Sequence, residues 1–232
     1  MISGVFLPYL SEIYASHKKE GISYATFKIT KIAFFLYMPL FFFLIPLAYD
    51  FIIFYAGTNY VESAWILMPL LFLSAMYVPS YSLWTKSEVA AKRPILPTKE
   101  ALTSRLFYII ASIILIPAFG TIGFLLSTFI SMLPFWLYFY RKSSRDNIMK
   151  IDIMSMLKAT IIGLTLAITL YFLRILGGLY ITILALIPCA VIYLNLSFLL
   201  GTVTREEFAY IKKSSPKSLR KIFTIIEKLI LI

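Results

Sequence analysis

Charge is scarce in this sequence, and acid is scarcer than base. Only 14% of the 232 residues are charged, and 11 acidic residues stand against 22 lysines and arginines. A soluble domain averages about 25% charged and 45–50% apolar residues, whereas 60% of this chain is hydrophobic. Cysteine is nearly absent. Cys189 is the single one, which excludes an internal disulfide and any cysteine-held metal cluster. The single histidine, His17, has no partner at a metal-ligand spacing. No phosphate-binding loop and no constellation for acid–base or nucleophilic catalysis is present, so neither an enzyme nor a cofactor is expected. The opening residues, MISGVFLPYLSEIYASHKK, lack a basic first segment and a small-residue cleavage site. That excludes an ordinary signal peptide. They read as the end of a membrane helix whose beginning is absent.

What is present is apolar and blocked. Charge-free runs cover residues 32–48, 63–85, 106–140, 159–173 and 175–204. A helix needs about 20 apolar residues to cross the hydrocarbon core, so the fold class is an all-α, polytopic helical membrane protein. Membrane β-strands would alternate over roughly ten residues instead of forming solid blocks. The run 106–140 is too long for one crossing at about 1.5 Å per residue. Inside it, IPAFGTIGFLLSTFI carries Pro117, Gly120 and Gly123, which suit an uncharged turn between two helices. Six complete spans are expected, at 32–55, 64–84, 103–118, 121–140, 153–173 and 176–200, with a partial segment at 1–15 before them. Residues 1–200 form the helix bundle and 201–232 a cytoplasmic tail.

The basic residues test this layout. Lys18, Lys19, Lys28 and Lys31 precede the first complete span. Lys86, Lys92, Arg93, Lys99 and Arg105 fall between the second and third, and Arg141, Lys142, Arg145, Lys150 and Lys158 between the fourth and fifth. Those after the sixth, from Arg205 to Lys228, lie on the same side, and only Arg174 lies on the other. Basic loops stay in the cytoplasm, so both termini are expected there, in the cytoplasmic (plasma) membrane of the cell. The net charge of +11 thus reads as an orientation signal, not as a nucleic-acid surface. In the tail, Thr204 is a candidate N-cap. Leu219, Ile222, Phe223, Ile226 and Leu229 then recur at helical spacing among Lys217, Arg220, Lys221 and Lys228. This pattern suits a basic amphipathic helix on the anionic inner leaflet, or a helix packed on the cytoplasmic loops.

Polar groups at membrane depth are the candidate site. Asp50 falls late in the first complete span, where a carboxylate is by default a functional candidate or else an interfacial residue at the outer end. Glu12 faces a cavity or the cytoplasmic surface. Arg105 and Lys158 sit at cytoplasmic span ends, placed to snorkel or to meet a substrate phosphate. Pro39, Pro46, Pro69 and Pro79 lie inside two successive spans, where transporters use such bends as hinges. The external connections, near 56–62, 117–121 and 174–178, are short and hold one acid, Glu62, too little for a glycosyltransferase. Asn195–Leu196–Ser197 matches a glycosylation acceptor but lies within a span.

The segments LPYLSEIYASHKKE and FKITKIAFFLYMPLFFFLIPLAYDFIIFYAGTNYVESAWIL resemble the second half of polysaccharide and lipid-linked-oligosaccharide flippases. These belong to the multidrug/oligosaccharidyl-lipid/polysaccharide exporter superfamily. The shared pattern is a proline and small polar residues ending a span, a basic loop, then a proline-bearing span closed by an aromatic-x-Gly-x-x-Tyr turn, here Tyr55, Gly57 and Tyr60. A second signature, Pro-x-aromatic-Gly-x-x-Gly, is Pro117, Phe119, Gly120 and Gly123. An alanine usually follows; Phe124 stands there, which should weaken close helix packing. The resemblance implies one lobe of a two-lobed exporter, with substrate held between lobes. Its implied partners are membrane lipid, a lipid-linked oligosaccharide, and a separately encoded N-terminal half or a second copy. A drug/cation antiporter of the same fold, or a non-transporting subunit of a surface-glycan assembly system, remain alternatives.

Overall fold

A computed structural model describes residues 2–146, 148–204 and 208 of the chain. Every regular element among them is helical. Helix α1 spans Ile2–Leu44, α2 Ala48–Ala56, α3 Ala64–Ala90, α4 Ile95–Phe119, α5 Thr121–Tyr138 and α6 Ile153–Leu199. A 3-10 turn, Thr58–Ser63, precedes α3, and a π-helical turn, Phe139–Ser144, continues α5. Five helical stretches are long and apolar enough to cross a membrane. The protein is an all-α helical membrane protein.

Several element ends differ from the sequence expectation. The segments 1–15 and 32–55 fall in one helical run with a kink between them, near Lys18. Two helices meet within α1 at Lys18 (φ 50°, ψ −136°), and the second begins ahead of residue 32. The expected span 32–55 is in turn broken at Pro46. The amides of Ile45, Leu47 and Ala48 bond carbonyls three residues back, at 3.1–3.2 Å, and the chain restarts as α2. Pro46 has no amide to give and cannot continue the ladder. It therefore ends a helix, whereas Pro39, Pro69 and Pro79 lie within helical runs. α4 starts at Ile95, not near 103, and within its added turns Glu100 is buried and accepts from Ser104 at 2.6 Å. Pro97 falls in the first turn of α4, where helix amides have no intrahelical partner anyway.

Two turns stand where glycine marks them. Gly120 has φ 56° and separates α4 from α5, and Gly178 has φ 74° where two helices meet within α6. Residues with side chains rarely adopt such angles. Gly123 is needed for space instead. A Cβ there would sit 2.0 Å from the Leu115 carbonyl oxygen, so α4 and α5 touch backbone to backbone just past the turn. Phe124 does not interfere with this contact, because its side chain is exposed.

The chain forms two compact units: Met1–Thr30 with Tyr77–Ile151, and Lys31–Met76 with Asp152–Ile232. The first is organised around aromatic rings. Tyr77 and Tyr81 stack at 5.1 Å, and Phe135 meets Tyr77, Tyr81 and Trp84 edge-on at 5.5–5.7 Å. In the second, Phe42 packs edge-on to Phe72 and against Gly163, where a Cβ would come within 2.8 Å of its ring. Phe35 contacts Tyr193, Phe198 and Phe208. The start of α6 is capped by Asp152, whose carboxylate accepts from the Ser155 amide at 3.1 Å and meets Lys31 at 3.5 Å. This is the usual N-cap chemistry. Outward-facing apolar side chains such as Ile113, Ile114, Leu184 and Ile187 form surface that suits lipid. In the tail, the Phe208 amide bonds the Thr204 carbonyl at 3.0 Å. The expected amphipathic stretch from Lys217 to Leu229 lies outside the described residues.

Candidate functional site

Asp50 sits in the first turn of α2, directly after the Pro46 break. It is not a lone charge. Arg174 Nε donates to its Oδ2 at 2.9 Å and Nη2 to its Oδ1 at 2.6 Å. The planar guanidinium fork matches a carboxylate, which makes this pairing strong and directional. An acid in a first helical turn also complements the helix dipole. The two side chains are 19% and 29% exposed, so the pair is partly shielded. The one basic residue expected on the outer side is thus neutralised by the acid expected near the same level.

The other candidates have separate surroundings. Lys158 Nζ donates to the Leu200 carbonyl at 2.8 Å, where it satisfies an orphan carbonyl just past the end of α6. Glu12 is exposed, and its backbone carbonyl accepts from Ser16 Oγ at 3.0 Å. Arg105 is exposed and electrostatically close to Tyr77 and Tyr81. Within neither unit are two of these four side chains bonded to each other. The turn residues occupy defined backbone positions. Gly57 has φ 91° and its amide closes α2 on Ile53 at 3.1 Å; the Tyr60 amide returns to the Gly57 carbonyl at 3.2 Å. The Gly120 amide closes α4 on Ile116 at 2.7 Å, in the turn that Pro117 enters.

Sequence reading passed over two buried acids in the first unit. Glu88, fully buried, accepts from Ser143 Oγ, and Ser143 in turn accepts from Trp84 Nε1 at 2.5 Å. Arg93 Nε lies 3.3 Å from Glu88 Oε2, and Arg93 Nη1 donates to Asp146 at 2.5 Å. This network joins the end of α3 to the π-helical turn. Its one sequence signal is an acid amid the basic run from Lys86 to Arg93. Glu100, also fully buried, bonds Ser104 and interacts with Tyr81, while its Oε2 has no hydrogen-bond partner. Nothing in its local sequence marks it apart from a cytoplasmic loop acid. Among the described residues no group of three His, Cys, Asp or Glu side chains lies close enough to hold a metal ion. No family model, curated protein or solved structure matches the chain.

Proposed function

We propose that this chain is the C-terminal half of a flippase that moves a lipid-linked oligosaccharide or polysaccharide precursor from the inner to the outer leaflet of the cytoplasmic membrane. The observation that carries the reading is the backbone at the two resembling signatures. Gly57 and Gly120 both adopt φ angles that favour glycine; Gly57 closes the short helix α2 just before the apolar stretch Thr58–Ala90, and Gly120 directly follows the apolar stretch Ile95–Phe119. The resemblance therefore rests on positions with a steric reason and not on composition alone. The mechanism is alternating access, in which two lobes rock about a central substrate site, driven by an ion gradient or the membrane potential. That mechanism needs a second lobe facing this one across the substrate site. The chain crosses the membrane six times after its first partial segment, with both termini in the cytoplasm. A drug/cation antiporter of the same architecture is the second reading, favoured by the buried Glu100 carboxylate with its free oxygen.

Translocation is tested in inside-out vesicles from cells with and without the chain. A short-chain polyprenyl-diphosphate saccharide is added to the outer, cytoplasmic face, and its protection from an impermeant sugar oxidase is followed. Faster protection in vesicles containing the chain is expected. Unchanged protection together with chain-dependent movement of an organic cation would replace the flippase with the antiporter. Neither activity would leave an assembly subunit.

A further inference from the structure

The first unit holds a cavity of about 580 Å³, lined by Glu20, Ser23, Tyr24, Phe27 and Lys150. Four of these recur at the i, i+3, i+4, i+7 spacing of one helix face, on the part of α1 that follows the Lys18 break. The fifth comes from the stretch before α6, held by its own amide on Thr26 Oγ1 at 3.4 Å. The volume falls in the usual range for small-ligand sites, about 300–1,000 Å³. Ser23 is 5% exposed and its hydroxyl has no hydrogen-bond partner. A buried polar atom left open calls for an explanation, and a ligand in this cavity supplies one.

The lining specifies the ligand's chemistry. The exposed Lys150 ammonium attracts an anion. A bare anion, however, would meet the Glu20 carboxylate on the same wall. The ligand must also carry donors for Glu20 and Ser23, and an apolar face for Phe27 and Tyr24. A phosphorylated sugar meets all three demands: phosphate to lysine, hydroxyls to Glu20 and Ser23, and a C–H face to the rings. We propose that this cavity is a recognition site for a lipid-borne glycosyl phosphate, which it receives at the cytoplasmic face. The proposal rests on the lipid-linked saccharide reading above and adds to it a place where the head group is first read.

The test uses the full chain in nanodiscs and three probes: a polyprenyl-diphosphate N-acetylhexosamine, the same lipid without sugar, and phosphatidylethanolamine as competitor. Losing a charge-assisted bond is worth about 1.5–3 kcal/mol, or at least about tenfold in affinity. Lys150→Ala should weaken both polyprenyl probes by about that factor or more. Tyr24→Ala and Glu20→Gln should weaken the glycosylated probe several-fold and leave the sugar-free one unchanged. All three side chains are exposed, so the variants should keep the wild-type melting temperature; Lys150→Gln replaces the alanine variant if it does not. Equal binding of both polyprenyl probes by every variant, or displacement of the glycosylated probe by equimolar phosphatidylethanolamine, overturns the proposal. The vesicle assay separates this result from the function itself. A chain that binds as expected but translocates nothing removes the flippase and keeps the site. A chain that translocates while its variants bind normally does the reverse.

Discussion

Asp50 and Arg174 show what a single charge means in this chain. Exposed ion pairs contribute about 0–1 kcal/mol, and breaking a buried pair costs about 3–5 kcal/mol. A two-bond pair with both side chains partly shielded belongs between these limits. Asp50→Asn and Arg174→Gln should each cost about 2 kcal/mol, read as lower melting temperatures in detergent. The double variant should cost clearly less than the sum, and the charge swap Asp50→Arg with Arg174→Asp should recover part of the loss. Strict additivity would show that the pair is not coupled. Transport then separates two roles. A clasp makes Arg174→Gln as harmful as Asp50→Asn, whereas a pathway carboxylate makes Asp50→Asn the worse of the two. The sequence marked both residues as odd charges of their regions. It held no sign that they meet, since 124 positions separate them and neither belongs to a motif.

At the scale of elements, turns were more legible than breaks. Gly120 and Gly178 both sit at a positive φ; the first lies in a charge-free block too long for one crossing, and the second at the edge of the connection expected near 174–178. The Lys18 break could not be read that way. Gly21 lies close by, yet the positive φ falls on Lys18, while Gly21 supplies room: a Cβ on it would come 2.3 Å from His17 Cβ. Local composition does not say which of two uses a glycine serves; packing decides. The same holds for Ser143, an ordinary polar residue in a basic stretch that becomes the hub between Trp84 and Glu88. Ser143→Ala leaves an indole N–H and a carboxylate oxygen unpaired in a buried place. It should therefore cost about 2 kcal/mol or more. Thr165→Ala is the control, because Thr165 is exposed and bonds only its own helix, to Ile161; a change within about 0.5 kcal/mol is expected there. Equal melting temperatures for the two variants would mean that the hub does not tie α3 to the π-helical turn.

The whole molecule sets the strictest test, since every crossing reverses the side of the next loop. The basic residues segregate under the expected layout with Arg174 as the exception, and Asp50 neutralises that exception. The signal counts Lys and Arg and acids add little to it, so it rests on the one-sided distribution of all the other basic residues. Cysteine labelling reads it directly. Cys189 is the single native thiol and is buried, so Cys189→Ala gives a silent background. Thr121 and Leu176 are exposed near the two glycine turns, and Lys99 and Arg141 are exposed in the basic regions. Ser143 would be a poor choice, because its burial alone would keep a thiol there unreactive. In intact cells Thr121→Cys and Leu176→Cys should react with an impermeant maleimide, and Lys99→Cys and Arg141→Cys only after permeabilisation. Reversed labelling would overturn the orientation but leave the helix count. Labelling of Thr121→Cys and Arg141→Cys from the same side would do more. It would mean that α5 does not cross, and the pattern of charge that seemed to certify six spans would then have another origin.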